Sequence, residues 1–248
     1  MIVTLLTDFG LSDSYVAEVK AAVLSRAAGA RFIDISHDVP PGNIPAAQYL
    51  LDRSWRRFPK GTTHLVVVDP GVGTSRRAIA ASVAGHHFVA PDNGVLSPVL
   101  SGAAVVELPV AELAAPTFHG RDLFAPAAGQ LAGGTPLRDL GSPCRDPLIQ
   151  PLPQARREGG QVVGLVIYVD HYGNLISNIP LDMLDGAASV RVGNPVVGPI
   201  RATFADVRSG DLVAYRGSGG TLEVAVRNGS AAVVLQVGAG TEVRVAAI

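Results

Sequence analysis

The sequence predicts an α/β protein in which a mostly parallel N-terminal α/β sandwich domain is followed by a small C-terminal β-barrel domain. Three observations predict it. Apolar strand-like runs alternate with helix-periodic segments through residue 145, the pattern of a sheet covered on both faces. Residues 146–160 are rich in proline, glycine and charge and carry no periodicity, which marks a linker. Residues 161–248 then hold short strand-like runs separated by turn residues, with hardly any helical period, as a small barrel requires.

The elements follow in order. "IVTLLTDF" reads as a buried strand, and "SYVAEVKAAVLSRA" as a helix with Val16, Val19 and Val23 on one face. "RFIDIS" is a second strand. Asn43 is placed to cap a helix over "IPAAQYLLDRSWRRF", where Pro45 falls in the tolerant first turn. "THLVVVD", "AIAASVA", "HHFVAPD" and "AVVELP" read as strands, and "RDLFAPAAGQLAGG" as a helix stopped by Gly133 and Gly134. In the second part the predicted strands are "QVVGLVIYVD", "SVRVG", "RATF", "DLVAYR", "LEVAVRNG", "AVVLQVG" and "EVRVAAI".

Composition narrows the function. With 20 basic against 21 acidic residues the net charge is −1, so nothing attracts a polyanion such as nucleic acid. Aromatic residues make up only 5%, too few for base-stacking platforms. The single cysteine, Cys144 in the turn-like "GSPCRDP", excludes an internal disulfide framework. Sparse histidines without an H-E-x-x-H pattern argue against a catalytic metal. No G-x-S-x-G elbow supports a serine nucleophile. The opening residues carry no leader and no run reaches the length of a membrane span, so a cytoplasmic protein without a membrane partner is expected.

Three acids end apolar strands: Asp8 in "LLTDFG", Asp69 in "VVVDPG" and Asp92 in "FVAPDNG". Ligands of open α/β sheets bind at the carboxyl ends of strands, so these carboxylates converge if their strands are neighbours; otherwise each caps a loop. The loop "DPGVGTSRR" matches neither phosphate-binding glycine pattern, and an acid at its head would repel phosphate. Its glycines suit a backbone folded back so that Asp69 meets an arginine. Of the histidines, His37, His64, His86, His87 and His171 read as structural. His119 in "TFHGRDLF" stands apart. Gly120 permits close approach beside it, the following helix start favours anions, and Asp122 is a candidate to hold the ring.

"TDFGLSDSYVAEVKAAV", "DISHDVPPGNI", "VVVDPGVGTSRRAI", "APDNGVLSPVL", "TFHGRDLFAPAA" and "VDHYGNLISNI" follow one another in order and spacing. Together they resemble the S-adenosyl-L-methionine (SAM) hydroxide adenosyltransferases, relatives of adenosyl fluorinases and chlorinases. The resemblance implies SAM as substrate and adenosine and L-methionine as products, formed by hydroxide attack at ribose C5′. It implies no cofactor, no metal, and a homotrimer whose active sites lie between the first domain of one subunit and the second of its neighbour. By motif, Asp69, Arg76 and His119 fall on the residues around the attacking water. Asp8 falls on the acid that holds the ribose hydroxyls, and Asp13, Asp170 and Ser218 on groups near the methionine ammonium. Asn174 falls on the residue facing the adenine edge, with Phe204 and the stretch from Asn228 to Ala231 bordering the base. The halogenases carry a tyrosine in place of Asp69 and a tyrosine–serine pair where His119 and Gly120 stand, which puts this chain on the hydroxide side. A chloride-using halogenase and a non-catalytic adenosine or SAM sensor are the alternatives.

Overall fold

The computed structural model describes residues 1–110, 113–184 and 188–247. The chain divides into two compact units, Met1–Pro151 and Leu152–Ile248.

The first unit is built on a seven-stranded sheet of β1 (Ile2–Thr7), β2 (Arg31–Ser36), β3 (Thr63–Val67), β4 (Ala78–Val83), β5 (His86–Pro91), β6 (Ala104–Glu107) and β7 (Ser142–Pro143). Their order across the sheet is β2-β1-β3-β5-β4-β6-β7. Strands β2, β1, β3 and β5 run parallel, whereas β4, β6 and β7 add in antiparallel fashion. The α/β class is as expected, but the sheet is mixed rather than mostly parallel. The change of direction occurs at a two-residue turn between β4 and β5, where Ala84 and Gly85 have φ of +52° and +83°. Such a primed turn matches strand twist. Alanine at its first position leaves little trace of it in the sequence.

Side-chain alternation along β1 divides the two faces of this sheet. Val3 and Leu5 pack with Val19 and Val23 of α1 (Tyr15–Leu24) and with Ala128 and Leu131 of α3 (Ala125–Ala132). On the opposite face Thr4 Oγ1 lies 2.8 Å from His64 Nδ1, and the His64 ring stacks on Phe88. Trp55, which follows α2 (Ile44–Ser54), meets Phe88 edge to face. Helix α2 starts as expected, with Asn43 Oδ1 accepting the Ala46 amide at 3.0 Å. Burial, followed by the nearby His86 and His87, pushes His64 down to about 3, so that imidazole is a neutral core group.

The second unit contains β8 (Arg156–Glu158), β9 (Gln161–Val169), β10 (Leu175–Pro180), β11 (Ala188–Val192), β12 (Val196–Arg201), β13 (Leu212–Arg216), β14 (Thr221–Val226) and β15 (Glu242–Ala247). Seven of these close into a barrel ordered β9-β10-β14-β13-β12-β11-β15, with β8 paired outside on β9. Inward positions alternate with outward ones, so Leu222, Val224 and Val226 of β14 and Val243 and Val245 of β15 fill the interior.

Two predicted strands need correction. "AVVLQVG" is a short helix, α4 (Ala231–Leu235), because Ser230 caps it by accepting the Val233 amide and Gln236 ends it in the left-handed region. Its β-branched valines mimic a strand. "RATF" overlaps β12 only at Arg201, and Phe204–Asp206 form a 3-10 turn fixed by a Thr203–Asp206 capping box. Strand β10 was not anticipated; its Asn178 and Pro180 dilute the strand pattern.

Candidate active site

Strands β1, β3 and β5 are adjacent and parallel, so the acids just beyond their carboxyl ends emerge along one edge of the sheet. Their roles then diverge. After Asp69 the chain coils tightly: the Val72 amide donates to the Asp69 carbonyl and the Thr74 amide to the Gly71 carbonyl. This return brings Arg76 back onto Asp69. Nε of Arg76 lies 3.0 Å from each Asp69 carboxylate oxygen, and Nη2 donates to Oδ2. The side chains are 9% and 6% exposed respectively, so this pair is far drier than a surface ion pair.

Nη2 of Arg76 also lies 2.8 Å from His119 Nδ1. A guanidinium has donors only, so His119 Nδ1 must accept and the ring proton of the neutral imidazole sits on Nε2. Burial, then the Arg76 charge, lowers His119 from its ordinary value, against the opposing carboxylates of Asp69 and Asp122. The third guanidinium nitrogen, Nη1 of Arg76, is buried without a hydrogen-bond partner among the described residues. Phe124 lies below, with its ring centre 5.1 Å from the Arg76 guanidinium carbon. Asp122 does not hold the His119 ring as expected; its carboxylate takes Arg121 and the Ala115 amide instead. Beside His119, a Cβ on Gly120 would come within 3.1 Å of the Phe9 ring, so a larger residue there would push that ring by a few tenths of an ångström.

Asp8 accepts the Gly42 amide on Oδ2 at 2.8 Å. Asp92 is a brace: Arg77 Nε and the Leu148 amide each reach it at 2.8 Å. Asp13 is exposed in the loop that leads into α1.

The remaining site residues lie in the barrel unit. Asp170 is occupied by its own loop, with Oδ1 accepting the amides of Tyr172 and Asn174 and Oδ2 accepting Asn174 Nδ2 at 2.8 Å. A cavity of about 620 Å³ is lined by Asn174, Phe204 and Asn228 together with Tyr172, Thr203 and Arg227. Phe204 packs on Tyr215 at 4.7 Å between ring centres. Asp170, Ser218 and Ala231 are not among the lining residues. Ala231 is buried at the start of α4, whose Ala232 amide donates to the Gly173 carbonyl, and Ser218 is exposed in the turn between β13 and β14. Sequence reasoning missed Tyr172, Thr203 and Arg227 as lining residues, although Tyr172 stands inside the quoted "VDHYGNLISNI". Among the described residues no group of three or more His, Cys, Asp or Glu side chains is arranged to hold a metal ion, and no helix is long and apolar enough to cross a membrane.

The α/β unit carries a buried carboxylate–guanidinium–imidazole chain at its strand ends and the seven-stranded barrel carries a cavity, features that suit a two-unit protein acting on a small molecule. Residues 3–141 match the SAM hydroxide adenosyltransferase N-terminal domain and residues 164–244 the corresponding C-terminal domain. The chain belongs to the SAM hydroxide adenosyltransferase family. It is 41% identical to an (R)-S-adenosyl-L-methionine hydrolase of Thermus thermophilus across 96% of this chain and 97% of that one. It is 39% identical to an enzyme of the same name from Salinispora tropica, across 97% and 96%. A fluorinase of Actinopolyspora mzabensis is 29% identical across 98% and 96%. A solved structure of an uncharacterized conserved protein from Thermotoga maritima superposes with a TM-score of 0.90 at 38% identity, covering both chains fully.

Proposed function

We propose that this protein is a SAM hydrolase, in which an activated water attacks ribose C5′ in line with the carbon–sulfur bond to give adenosine, L-methionine and a proton. The observation that carries this reading is the buried Arg76 Nη1, the one guanidinium nitrogen that neither Asp69 nor His119 takes. A water held there lies beside a fixed positive charge that stabilises hydroxide as it forms. The sulfonium leaves as a neutral thioether and needs no acid, so activation of the nucleophile is the demand on the protein.

The hydrogen-bond order supports one route for the proton. His119 spends its Nδ1 lone pair on Arg76 and so offers Nε2–H as a donor that orients the water oxygen. Asp69, which retains acceptor capacity beyond the Arg76 bonds, receives the water proton and passes it to solvent. Asp8 accepts the ribose diol. Asp13, Asp170 and Ser218 meet the methionine ammonium, while Asn174, Phe204, Asn228 and the Ala231 backbone border adenine. The resemblance to the family supports those assignments, together with the cavity that gathers Asn174, Phe204 and Asn228. It also supports a cytoplasmic homotrimer in which the barrel unit of one subunit completes the site of the next, with no cofactor or metal.

Incubation with SAM in ¹⁸O-labelled water tests the reaction. The expected result is adenosine carrying the label at its 5′ oxygen, with L-methionine unlabelled and no chloroadenosine when chloride is added. Turnover losses below about tenfold in all of Asp69→Asn, Arg76→Ala and His119→Ala would overturn the assigned roles, since removing one preorganised electrostatic contact costs about 10²–10³.

A further inference from the structure

The chain around Asp8 is gripped from one side by residues 37–42. The Gly10 amide donates to the His37 carbonyl at 2.8 Å, the Val39 amide to the Thr7 carbonyl at 3.4 Å, and the Gly42 amide to Asp8 Oδ2 at 2.8 Å. At the centre stands a side-chain pair with no exposed surface to speak of. Thr7 is 0% and His37 4% exposed, and Thr7 Oγ1 lies 2.8 Å from His37 Nδ1.

The direction of these bonds follows from what each group can give. Thr7 Oγ1 already accepts the Phe9 amide at 3.3 Å. A threonine hydroxyl can accept a second bond, but donating to His37 Nδ1 gives its proton a partner and puts the imidazole proton on Nε2, which lies 3.2 Å from Asp34 Oδ1 without a well-aligned bond. The other Asp34 oxygen pairs with Lys20 Nζ at 2.7 Å. Burial raises the Asp34 carboxyl, but the Lys20 bond and the nearby His37 outweigh it and hold the group below its ordinary value. His37 Nε2 makes no well-aligned hydrogen bond among the described residues, so Lys20, Asp34, His37 and Thr7 are neighbours rather than a continuous relay, and the Thr7 hydroxyl is buried and accepts the Phe9 amide. A hydroxyl without access to solvent attacks nothing. What it fixes is the backbone on either side of Asp8.

We infer that Thr7 and His37 are specificity-determining positioning residues, which lock the Asp8 carboxylate in the orientation that accepts both hydroxyls of a vicinal diol. One carboxylate serving two hydroxyls tolerates little rotation, because site geometry must hold within about 0.5 Å and 10–20°. Removing the hydroxyl of Thr7 releases the Phe9 amide and the His37 ring together. The inference rests on the reading of Asp8 as the diol acceptor, and the test separates the two.

The measurement is the affinity of the full-length protein for adenosine and for 2′,3′-dideoxyadenosine by titration calorimetry, with a melting curve for each variant. Wild-type protein is expected to prefer adenosine by about 10² or more, as a site built to bond a hydroxyl rejects the analogue lacking it. Asp8→Asn is expected to reduce that preference to about threefold. Thr7→Val is expected to cut the preference by about tenfold while dideoxyadenosine affinity stays within about twofold, and Thr7→Ser to restore it. If Thr7→Val does not fold, His37→Leu, which keeps the main-chain carbonyl for Gly10, carries the same expectation. Unchanged discrimination in Asp8→Asn overturns the reading of Asp8 itself. Lost discrimination in Asp8→Asn with full discrimination in Thr7→Val, or equal weakening of both ligands, overturns the positioning role.

Discussion

Arg76 and Arg77 are consecutive, and each pairs with an aspartate just beyond a parallel strand of the same sheet, yet their surroundings differ. Arg77 is fully committed: Nε and Nη2 reach Asp92, Nη1 reaches Asp146 at 2.7 Å, and Nη2 also donates to the Asp146 carbonyl at 2.6 Å. Its partner Asp146 is 83% exposed. Arg76 is buried, shares one nitrogen between a carboxylate and a neutral imidazole, and leaves Nη1 without a partner among the described residues. An Asp–Arg pair is therefore no signature of chemistry. What separates the two arginines is a buried guanidinium nitrogen with no hydrogen-bond partner among the described residues.

The largest effect that would break this comparison is at position 76. Arg76→Ala is expected to lower turnover of SAM by about 10²–10³, the cost of removing one preorganised charge contact. Arg76→Lys should lose nearly as much, because a single ammonium cannot hold Asp69 and His119 at once. Steady-state rates of both variants within tenfold of wild type would equate the two arginines.

Next comes the acid limb of the rate profile. His119 has an ordinary value of 6.5 that burial and then Arg76 push down, so its neutral form persists below pH 6.5. As pH falls through the lowered value, Nδ1 gains a proton facing the Arg76 donor and the chain to the water breaks. Turnover should thus hold to below pH 6.5 and then fall about tenfold per further unit, the slope of a single titration. Arg77→Ala should leave that midpoint in place. Folding stability has the same sign: His64, pushed from 6.5 to about 3, lets the unfolded chain bind a proton that the fold refuses. Its contribution is complete above pH 6.5 and shrinks as pH falls toward 3, so rates must be read at temperatures well below the melting point measured at each pH.

A smaller effect is expected from Arg77→Ala itself. It leaves the Asp92 carboxylate, 3% exposed, with the Leu148 amide as its remaining bond. Unfolding free energy should drop by about 2 kcal/mol, with turnover within about threefold of wild type. A large rate loss without a stability loss would reverse the assignment of the two arginines.

How much of this was legible in the sequence follows the range of the interactions. The α/β unit was readable because its signals are local: Val16, Val19 and Val23 keep helical spacing, Asn43 caps its own helix, and apolar runs end on Asp8, Asp69 and Asp92. The antiparallel edge was not, since an Ala84–Gly85 turn lacks the residues that advertise a hairpin. Nor was α4, whose valines favour strands while a single serine cap decides for helix. At the site, residue identities came from motif order, but partners required the fold. Asp122 looked like the support for His119 because it is three residues away, whereas the actual contact comes from Arg76, 43 positions distant. Likewise His37 read as structural, and its bond to Thr7 spans 30 positions.

The smallest expected free-energy change, though one felt in turnover, concerns the loop that the Arg76 arm needs and the Arg77 arm does not. Gly73 has φ of +79°, and a Cβ there would come within 3.0 Å of the Pro116 carbonyl oxygen. Gly73→Ala therefore pays left-handed strain of roughly 1–2 kcal/mol and pushes the coil between Asp69 and Arg76 against the segment that leads to His119. The backbone that returns Arg76 to Asp69 shifts by a few tenths of an ångström rather than unfolding. Turnover should fall by about three- to tenfold while substrate KM stays nearly constant, because the shift misplaces the water and not the sugar or the base. A rise in KM with unchanged kcat would instead tie this loop to substrate binding, and the glycines after Asp69 would lose their connection to the nucleophile.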